Sequence, residues 1–269
     1  MILSRVIKHF RQQEWTAIGI DFLIVVLGVF IGIQFANWNQ YASDRHDETQ
    51  YLRQLQDDLH NIQAEVDAQI EFEQFQVNLT AQTFNLIRND TSDDRALKID
   101  MGLSMLMVRR TLRTQSPTFL NLQGSGKLDI ISDPDLRAAI ISYFYSTARL
   151  EAAIDKNNAV FIDGAYADFI MSNRIPPRRW DDGLMSMELP PSAQISSEFK
   201  EKARQGPIYD AEGGSLAMPP DSEFWDEVIA QLSWRGYIST NNEALVQHLA
   251  AATEALESEL ADHLERRAP

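Results

Sequence analysis

The chain has 269 residues, no cysteine, and 39 Asp and Glu against 24 Lys and Arg, which gives a formal net charge of −15. The acidic balance argues against a nucleic-acid partner, since neutralisation of phosphates supplies most of the affinity for nucleic acid. The absence of cysteine excludes disulfides, thiolate-bound metals and thiol nucleophiles. The hydrophobic fraction of 44% is typical of a folded globular chain.

The first feature along the chain is an apolar run. Residues 22–33 contain no polar side chain, and the wider window 17–36 is interrupted only by Asp21 and Gln34. A helix needs about 20 mainly apolar residues to cross the hydrocarbon core of a bilayer. The run therefore predicts a transmembrane helix, and the lipid bilayer is the first expected partner.

Tryptophans mark both ends of this helix. Trp15 and Trp38 bracket the apolar run, and tryptophan is favoured in the two headgroup layers that a span connects. We predict membrane-interface anchors at both positions and a transmembrane helix over 15–38. A short segment 1–14 precedes this helix, and an outer domain over 39–269 follows it.

Two other interpretations of the apolar run stay open. A buried core helix is favoured when such a run has only about 10–14 residues. A cleaved signal peptide needs a small-residue cleavage site after the run, and residues 34–39 contain none. We therefore favour an uncleaved anchor.

The basic residues near the span predict its orientation. Arg5, Lys8 and Arg11 precede the run, whereas Arg45 and Arg53 follow it at a greater distance. The more basic flank of a span faces the cytoplasm. We predict a cytoplasmic N-terminus and an extracytoplasmic outer domain, which in a Gram-negative bacterium means the inner membrane and the periplasm.

One stripe of the predicted span combines an acid with small residues. At helical spacing it consists of Asp21, Val25, Gly28, Gly32 and Ala36. The two glycines form a G-x-x-x-G motif, which lets two helix backbones approach closely, and an acid within a span usually faces protein. We predict that the stripe packs against another transmembrane helix, from a second copy or a partner protein. The alternative is an interfacial Asp21 that reaches the headgroups.

Residues in and after the span form a wider pattern. It comprises Asp21, Gly28, Gln34, Asn37-Trp38-Asn39 and Tyr51-Leu52-x-x-Leu55-x-x-Asp58-Leu59, with a second patch at Gly126-Lys127-Leu128. This pattern resembles an uncharacterised bacterial family of single-pass membrane proteins with a helical outer domain. The family usually has Glu at the positions of Asp21 and Gln40, so this chain keeps the first acid and lacks the second. The resemblance covers roughly residues 1–150 and carries over no catalytic residue, because the family has no assigned activity.

Long amphipathic helices are predicted to dominate the outer domain. Residues 34–101 contain no Gly or Pro, and apolar residues recur every three or four positions over 52–87, which predicts one long helix. This helix either continues from the span or breaks near 37–47. A shorter helix is predicted over 97–113, closed by Pro117.

The next segment is predicted to be a connector followed by a helix. The connector covers 116–131, and its last part, 127–131, could form a short strand. Asp133-Pro134 is a strong helix start, with an Asp N-cap and Pro at the first helical position. That helix is expected to reach about Met171, with Gly164 as a weak point.

The remainder of the chain is predicted to be a loop and a final helix. Residues 173–221 hold seven of the ten prolines, which indicates a long Pro/Gly-rich loop. The last helix is expected to start at 221–223 with cap residues and acids. It is expected to run to the C-terminus, with a possible interruption at 234–237.

Together these elements predict an all-α fold. It consists of an N-terminal transmembrane helix followed by an antiparallel bundle of long helices with one long Pro/Gly-rich loop. A rod-like coiled coil is the alternative, and we disfavour it because the apolar heptads are not sustained.

No pattern in the sequence indicates catalysis, a cofactor or a metal. His60 has two aspartates nearby but lacks a complete set of metal ligands. Residues 124–127 lack the spacing of a phosphate-binding loop and are predicted to be a turn. Two basic clusters, at 109–113 and 174–179, are predicted to pair with the acidic helices of the bundle.

We therefore expect a non-catalytic, membrane-anchored accessory or binding component of a membrane assembly. The alternative is a ligand-sensing outer domain. Such a domain would have to signal through a partner membrane protein, because the segment before the span is far shorter than the roughly 50 residues of a small effector domain. An enzyme with its site under the loop 173–221 has only the length of that loop in its favour.

Overall fold

The structure is a computed structural model that describes residues 15–175, 218–219 and 221–266, with side chains described from residue 22 onward. The chain divides into two compact units, Met1–Tyr51 and Leu52–Pro269. The described residues are largely helical and contain no strand, so the predicted all-α class is confirmed. The predicted segment 1–14 and most of the predicted loop 173–221 lie outside the described residues.

Six α-helices are named here in chain order. They are α1 (Trp15–Asn89), α2 (Arg95–Met105), α3 (Pro117–Gly124), α4 (Pro134–Asn157), α5 (Ala167–Ser172) and α6 (Phe224–Arg266). A π-helical stretch, Asn158–Tyr166, joins α4 to α5, and a 3-10 turn, Leu128–Ile130, precedes α4. The long elements α1, α4 and α6 are the ones that the apolar periodicity predicts.

The first helix, α1, is unbroken over its 75 residues. The sequence left open a break near 37–47, and the helix continues through that range. The continuity has a local reason, since residues 34–101 contain neither Gly nor Pro. Within the second unit α1 buries a leucine stripe at Leu52, Leu55 and Leu59, each at most 1% exposed.

The predicted second helix, 97–113, is too long. In the structure α2 ends at Met105, and Pro117 is the first residue of α3 rather than the end of α2. Between the two helices the chain forms no regular helix, and two of its carbonyls accept hydrogen bonds from Arg235 of α6. These tertiary bonds replace the intrahelical bonds that a longer α2 would make.

The connector before α4 contains no strand. Its residues 128–130 form the 3-10 turn, which corrects the possible strand at 127–131. Of the predicted turn at 124–127, Gly124 is the last residue of α3 and the turn lies at 125–126. Gly126 adopts a φ of 69°, which favours glycine over residues with a side chain.

The predicted start of α4 is confirmed. The Oδ1 atom of Asp133 accepts hydrogen bonds from the amides of Asp135 (3.0 Å) and Leu136 (3.2 Å), as an N-cap does. Helical structure then continues through the π-helical stretch to the end of α5, one residue beyond the predicted end. Gly164, the predicted weak point, lies within that stretch, where the hydrogen-bond pattern widens.

The last helix, α6, has no interruption at 234–237. Arg235 points into the core and is fully buried. Gly236 lies beside α1, since a methyl group added there would be 3.3 Å from Cγ2 of Thr80. The polar and glycine residues that suggested a break are therefore explained by the packing of α6.

Contacts between pairs of helices establish the direction of α6 relative to α1. Gln74 of α1 donates a hydrogen bond to Glu243 of α6 at 2.9 Å. Farther along α1, Thr80 lies beside Gly236. Residue numbers rise along one helix as they fall along the other, so within the second unit the two helices are antiparallel.

Hydrogen bonds between α4 and α6 establish the direction of α4 in the same way. Tyr143 shares a hydrogen bond of 2.8 Å with Thr253, and Asn157, at the end of α4, donates to Asn242 at 2.9 Å. The helices α4 and α6 are therefore antiparallel, and the predicted antiparallel bundle is confirmed.

Candidate functional site

The first candidate site is the apolar part of α1, which lies in the first unit. Every large apolar side chain from Phe22 to Leu27 is exposed, by between 47% at Val26 and 70% at Phe22. Consecutive helical residues are turned by about 100°, so these six positions cover the whole circumference. In globular proteins a helix that is apolar on all faces is buried in a core or in a membrane, and here the described part of the chain provides no core for it.

Length and composition agree with this exposure. Among the described residues, one helix is long and apolar enough to cross a membrane, and its most apolar window has a mean hydropathy of 1.8. The predicted anchor Trp38 is 71% exposed and packs edge-to-face against Phe35, with ring centroids 6.4 Å apart. Trp15 belongs to α1, but its side chain lies outside the described residues.

The predicted packing stripe is an open surface in this chain. Val25 is 63% exposed, and Ala36 is exposed as well. A methyl group added at Gly28 or Gly32 would meet no heavy atom within 4 Å. With Asp21, whose side chain lies outside the described residues, the stripe subtends about 80° of the helix.

The second candidate site is a buried polar network that the sequence analysis missed. Five polar residues in the second half of α1 are at most 5% exposed: Gln69, Glu73, Gln76, Thr80 and Thr83. They recur at alternating steps of four and three, which is the same period as the apolar stripe. That period was the available signal, but polar residues at helical spacing ordinarily indicate a solvated face.

Glu73 is the acidic centre of this network. Its Oε1 accepts hydrogen bonds from Gln69 Nε2 at 2.8 Å and from Asn242 Nδ2 at 3.2 Å. Its Oε2 and both side-chain polar atoms of Gln76 have no hydrogen-bond partner among the described residues. Burial raises the pKa of Glu73 above its ordinary value of 4.5, and the charge on Arg235 opposes this rise.

Arg235 is the basic centre and has no exposed surface. Its Nε donates to the carbonyl of Leu106 at 2.9 Å and its Nη2 to that of Val108 at 3.2 Å, while Nη1 donates to the Ser239 hydroxyl. Burial lowers the pKa of Arg235, and the charge on Glu73 opposes that shift. Both pKa shifts favour the neutral form of the side chain. The cost of desolvating the two charges therefore outweighs the attraction between them.

The network reaches the surface through a neighbouring arginine. Arg110 donates through Nη1 to Gln69 Oε1 at 3.1 Å and through Nη2 to Glu65 Oε2 at 2.7 Å. The predicted pairing of the first basic cluster is confirmed, because Arg109 and Arg113 also form ion pairs, with Asp163 (2.7 Å) and Asp155 (3.1 Å) respectively. In the second cluster, 178 and 179 lie outside the described residues.

The geometry of the network indicates a structural role. A substrate or solvent molecule does not reach Glu73 or Arg235, which are at most 1% exposed. Within the part of the chain that the structure describes, no group of three or more His, Asp or Glu side chains could hold a metal ion. The network joins α1, α6 and the segment after α2, and so fixes how these elements pack.

No protein-family model matches the chain, and neither a curated protein nor a solved structure matches it. The resemblance to the uncharacterised bacterial family therefore stays a prediction.

Proposed function

We propose that the chain is a non-catalytic, single-pass membrane protein whose acidic helical domain lies outside the cytoplasm. In this proposal it is an accessory or binding component of a membrane assembly. The observation that supports it is the segment 22–33, which is apolar on every face and exposed throughout its described side chains. Water would make that exposure unfavourable, whereas lipid makes it favourable.

The energetics of insertion support the membrane part of the proposal. All twelve residues of the segment except Gly28 and Gly32 are Leu, Ile, Val or Phe. Each contributes about −0.3 to −0.6 kcal/mol at the centre of a span, so together they give at most about −3 to −6 kcal/mol. Asp21 opposes this with less than the ~2.5–3.5 kcal/mol of a central acid, because it lies near one end.

We further propose the inner membrane of a bacterium as the location, with the N-terminus in the cytoplasm and the outer domain in the periplasm. The basic residues Arg5, Lys8 and Arg11 support this orientation through their position before the span. The resemblance to the bacterial family supports the same arrangement.

Cysteine labelling tests the topology directly, because the chain has no native cysteine. Ser4→Cys, Ser43→Cys and Ser258→Cys each introduce a single thiol. In intact spheroplasts, a membrane-impermeant maleimide should label the thiols at 43 and 258, and should label the one at 4 only after lysis. Labelling of position 4 alone in intact spheroplasts would reverse the orientation, and recovery of the full chain in the soluble fraction would refute the anchor.

The stripe formed by Asp21, Val25, Gly28, Gly32 and Ala36 is proposed to contact another transmembrane helix. A photo-crosslinking residue at Val25 should form a protein adduct in living cells. The matched control is Phe30, which lies on the opposite side of the helix, about 140° away from Val25. Equal adduct yields at the two positions would contradict a specific packing face.

A further inference from the structure

A pocket of about 260 Å³ opens between α3 and α4, in the second unit. Its apolar wall is formed by Phe119, Leu120 and Phe144. The two phenylalanine rings stack with centroids 4.3 Å apart, and Leu120 stays 52% exposed at the mouth. Phe119 and Phe144 are only 5% and 8% exposed, so Leu120 supplies most of the apolar surface that is open to solvent. A concave apolar lining suits a ligand with a compact apolar body.

The lining of the pocket also includes a fixed carboxylate, that of Glu151. Oε1 of Glu151 accepts hydrogen bonds from the Thr114 amide at 2.5 Å and from the Thr114 hydroxyl at 2.8 Å. These two bonds orient the carboxylate and leave Oε2 outside both of them. The carboxylate of Glu151 is therefore a preorganised acceptor, and a preorganised carboxylate binds a cation more strongly than a mobile carboxylate does.

The neighbouring cation is committed to another acid. Arg113 forms its ion pair with Asp155, at 3.1 Å. Among the described residues, no Lys or Arg forms an ion pair with Glu151. The charge of Glu151 is therefore available to a cation that enters the pocket.

The volume limits the size of the ligand. An apolar cavity of about 150 Å³ accommodates benzene. A pocket of about 260 Å³ accordingly holds one ring with a short arm. We propose that this pocket binds a small organic cation, with a ring-sized apolar body against Phe119, Leu120 and Phe144 and a protonated amine at Glu151.

This site goes beyond the proposed function, because neither the anchor nor the stripe requires it. The test uses the full chain in nanodiscs of zwitterionic phosphatidylcholine, with empty nanodiscs subtracted. The probe is 2-phenylethylamine, and 3-phenylpropionate is its matched anion with the same ring. Saturation-transfer NMR titrations should give saturable binding of the amine and at least about tenfold weaker binding of the anion, as one charge-assisted hydrogen bond implies.

Three variants locate the binding. Glu151→Gln keeps an acceptor for Thr114 and removes the charge, so it should weaken amine binding about tenfold or more. Ala148→Leu fills the pocket that Ala148 lines and should abolish binding. Glu254→Gln removes an equal charge from an exposed position of α6 and should change nothing.

The result that overturns the proposal does not depend on any variant. Absence of saturable amine binding to the unmodified chain, or equal affinity for amine and anion, would refute it. An affinity that Glu151→Gln leaves unchanged would refute the role of the carboxylate. None of these outcomes bears on membrane insertion, which the labelling of introduced cysteines tests separately.

Discussion

Replacement of Arg235 by Met should severely destabilise the second unit, Leu52–Pro269. Methionine is unbranched and adaptable, so it can occupy much of the same space. The replacement removes the donors to the carbonyls of Leu106 and Val108 and to the Ser239 hydroxyl. It also leaves Glu73, which is 1% exposed, without the cation that opposes its desolvation.

The magnitude follows from the lost hydrogen bonds. A buried acceptor that loses its donor costs about 1–3 kcal/mol, and Arg235 donates to three acceptors. These costs overlap because the acceptors belong to one desolvated site, so we expect Arg235→Met to lower the free energy of unfolding by about 4 kcal/mol. This is a large part of the roughly 5–15 kcal/mol that stabilises a typical domain.

A second substitution distinguishes lost charge pairing from lost packing. Glu73→Gln keeps the acceptor for Gln69 and Asn242 and removes the buried negative charge. Combined with Arg235→Met, it should restore about 0.5–3 kcal/mol, which is the coupling expected within one network. Urea unfolding of the full chain in detergent, followed by tryptophan fluorescence and circular dichroism, measures all four corners of the cycle.

A loss of less than about 1 kcal/mol in the free energy of unfolding of Arg235→Met would contradict the predicted role of this residue. A coupling within about 0.5 kcal/mol of zero would contradict it as well, since independent sites behave in that way. In the first case the carbonyls of the segment after α2 would be satisfied without Arg235, and in the second the two charges would not act on one another.

The same network predicts a pH dependence. Because burial raises the pKa of Glu73 above 4.5, the folded state holds this proton more tightly than the unfolded state does. The contribution of Glu73 to stability is therefore full below pH 4.5 and is lost as the pH rises through the folded-state pKa. The free energy of unfolding of the parent chain minus that of Glu73→Gln should fall over this range, and a difference that rises with pH would contradict the assigned direction.

Three further substitutions test other elements. Gly102→Ala would place a methyl group against the Thr83 hydroxyl and should lower the free energy of unfolding by about 1–3 kcal/mol, while Gly124→Ala, with no heavy atom within 4 Å, serves as its control. Asp133→Ala removes the acceptor at the start of α4 and should lower the melting temperature, and Asp133→Asn should restore it. Val29→Asp should make the free energy of membrane insertion less favourable by about 3–4 kcal/mol. The variant should therefore be lost from the carbonate-washed membrane pellet, whereas Val29→Leu should stay in it. An unchanged pellet fraction for Val29→Asp would contradict the predicted span.

Most of the fold could be predicted because its signals are local. The Asp133-Pro134 start of α4 lies in adjacent residues, and the long helices follow from an apolar period of three and four. The end of α2 could not be predicted in this way. It depends on hydrogen bonds from Arg235, more than 100 residues away along the chain, and no property of the segment itself reveals them.

The same distinction between local and long-range signals applies to the candidate sites. The apolar part of α1, which is long enough to cross a membrane, could be predicted because its twelve successive apolar residues are adjacent in the sequence. The polar network could not, since Gln69, Glu73 and Gln76 have the composition of a solvated stripe and become core only when α6 covers them. The pocket beside Glu151 likewise forms only when α3 packs against α4, and no single window of the sequence shows that contact.

The buried network also explains why α1 and α6 adopt one register. Two antiparallel helices with only apolar residues at their interface can shift by one turn with little loss, because leucines replace leucines. A shift of one turn, about 5.4 Å, would break the hydrogen bond from Asn242 of α6 to Glu73 of α1. A buried polar group that loses a partner costs about 1–3 kcal/mol. The network therefore stabilises one register more by penalising the others than by its own attraction, which agrees with the pKa shifts of Glu73 and Arg235 toward their neutral forms.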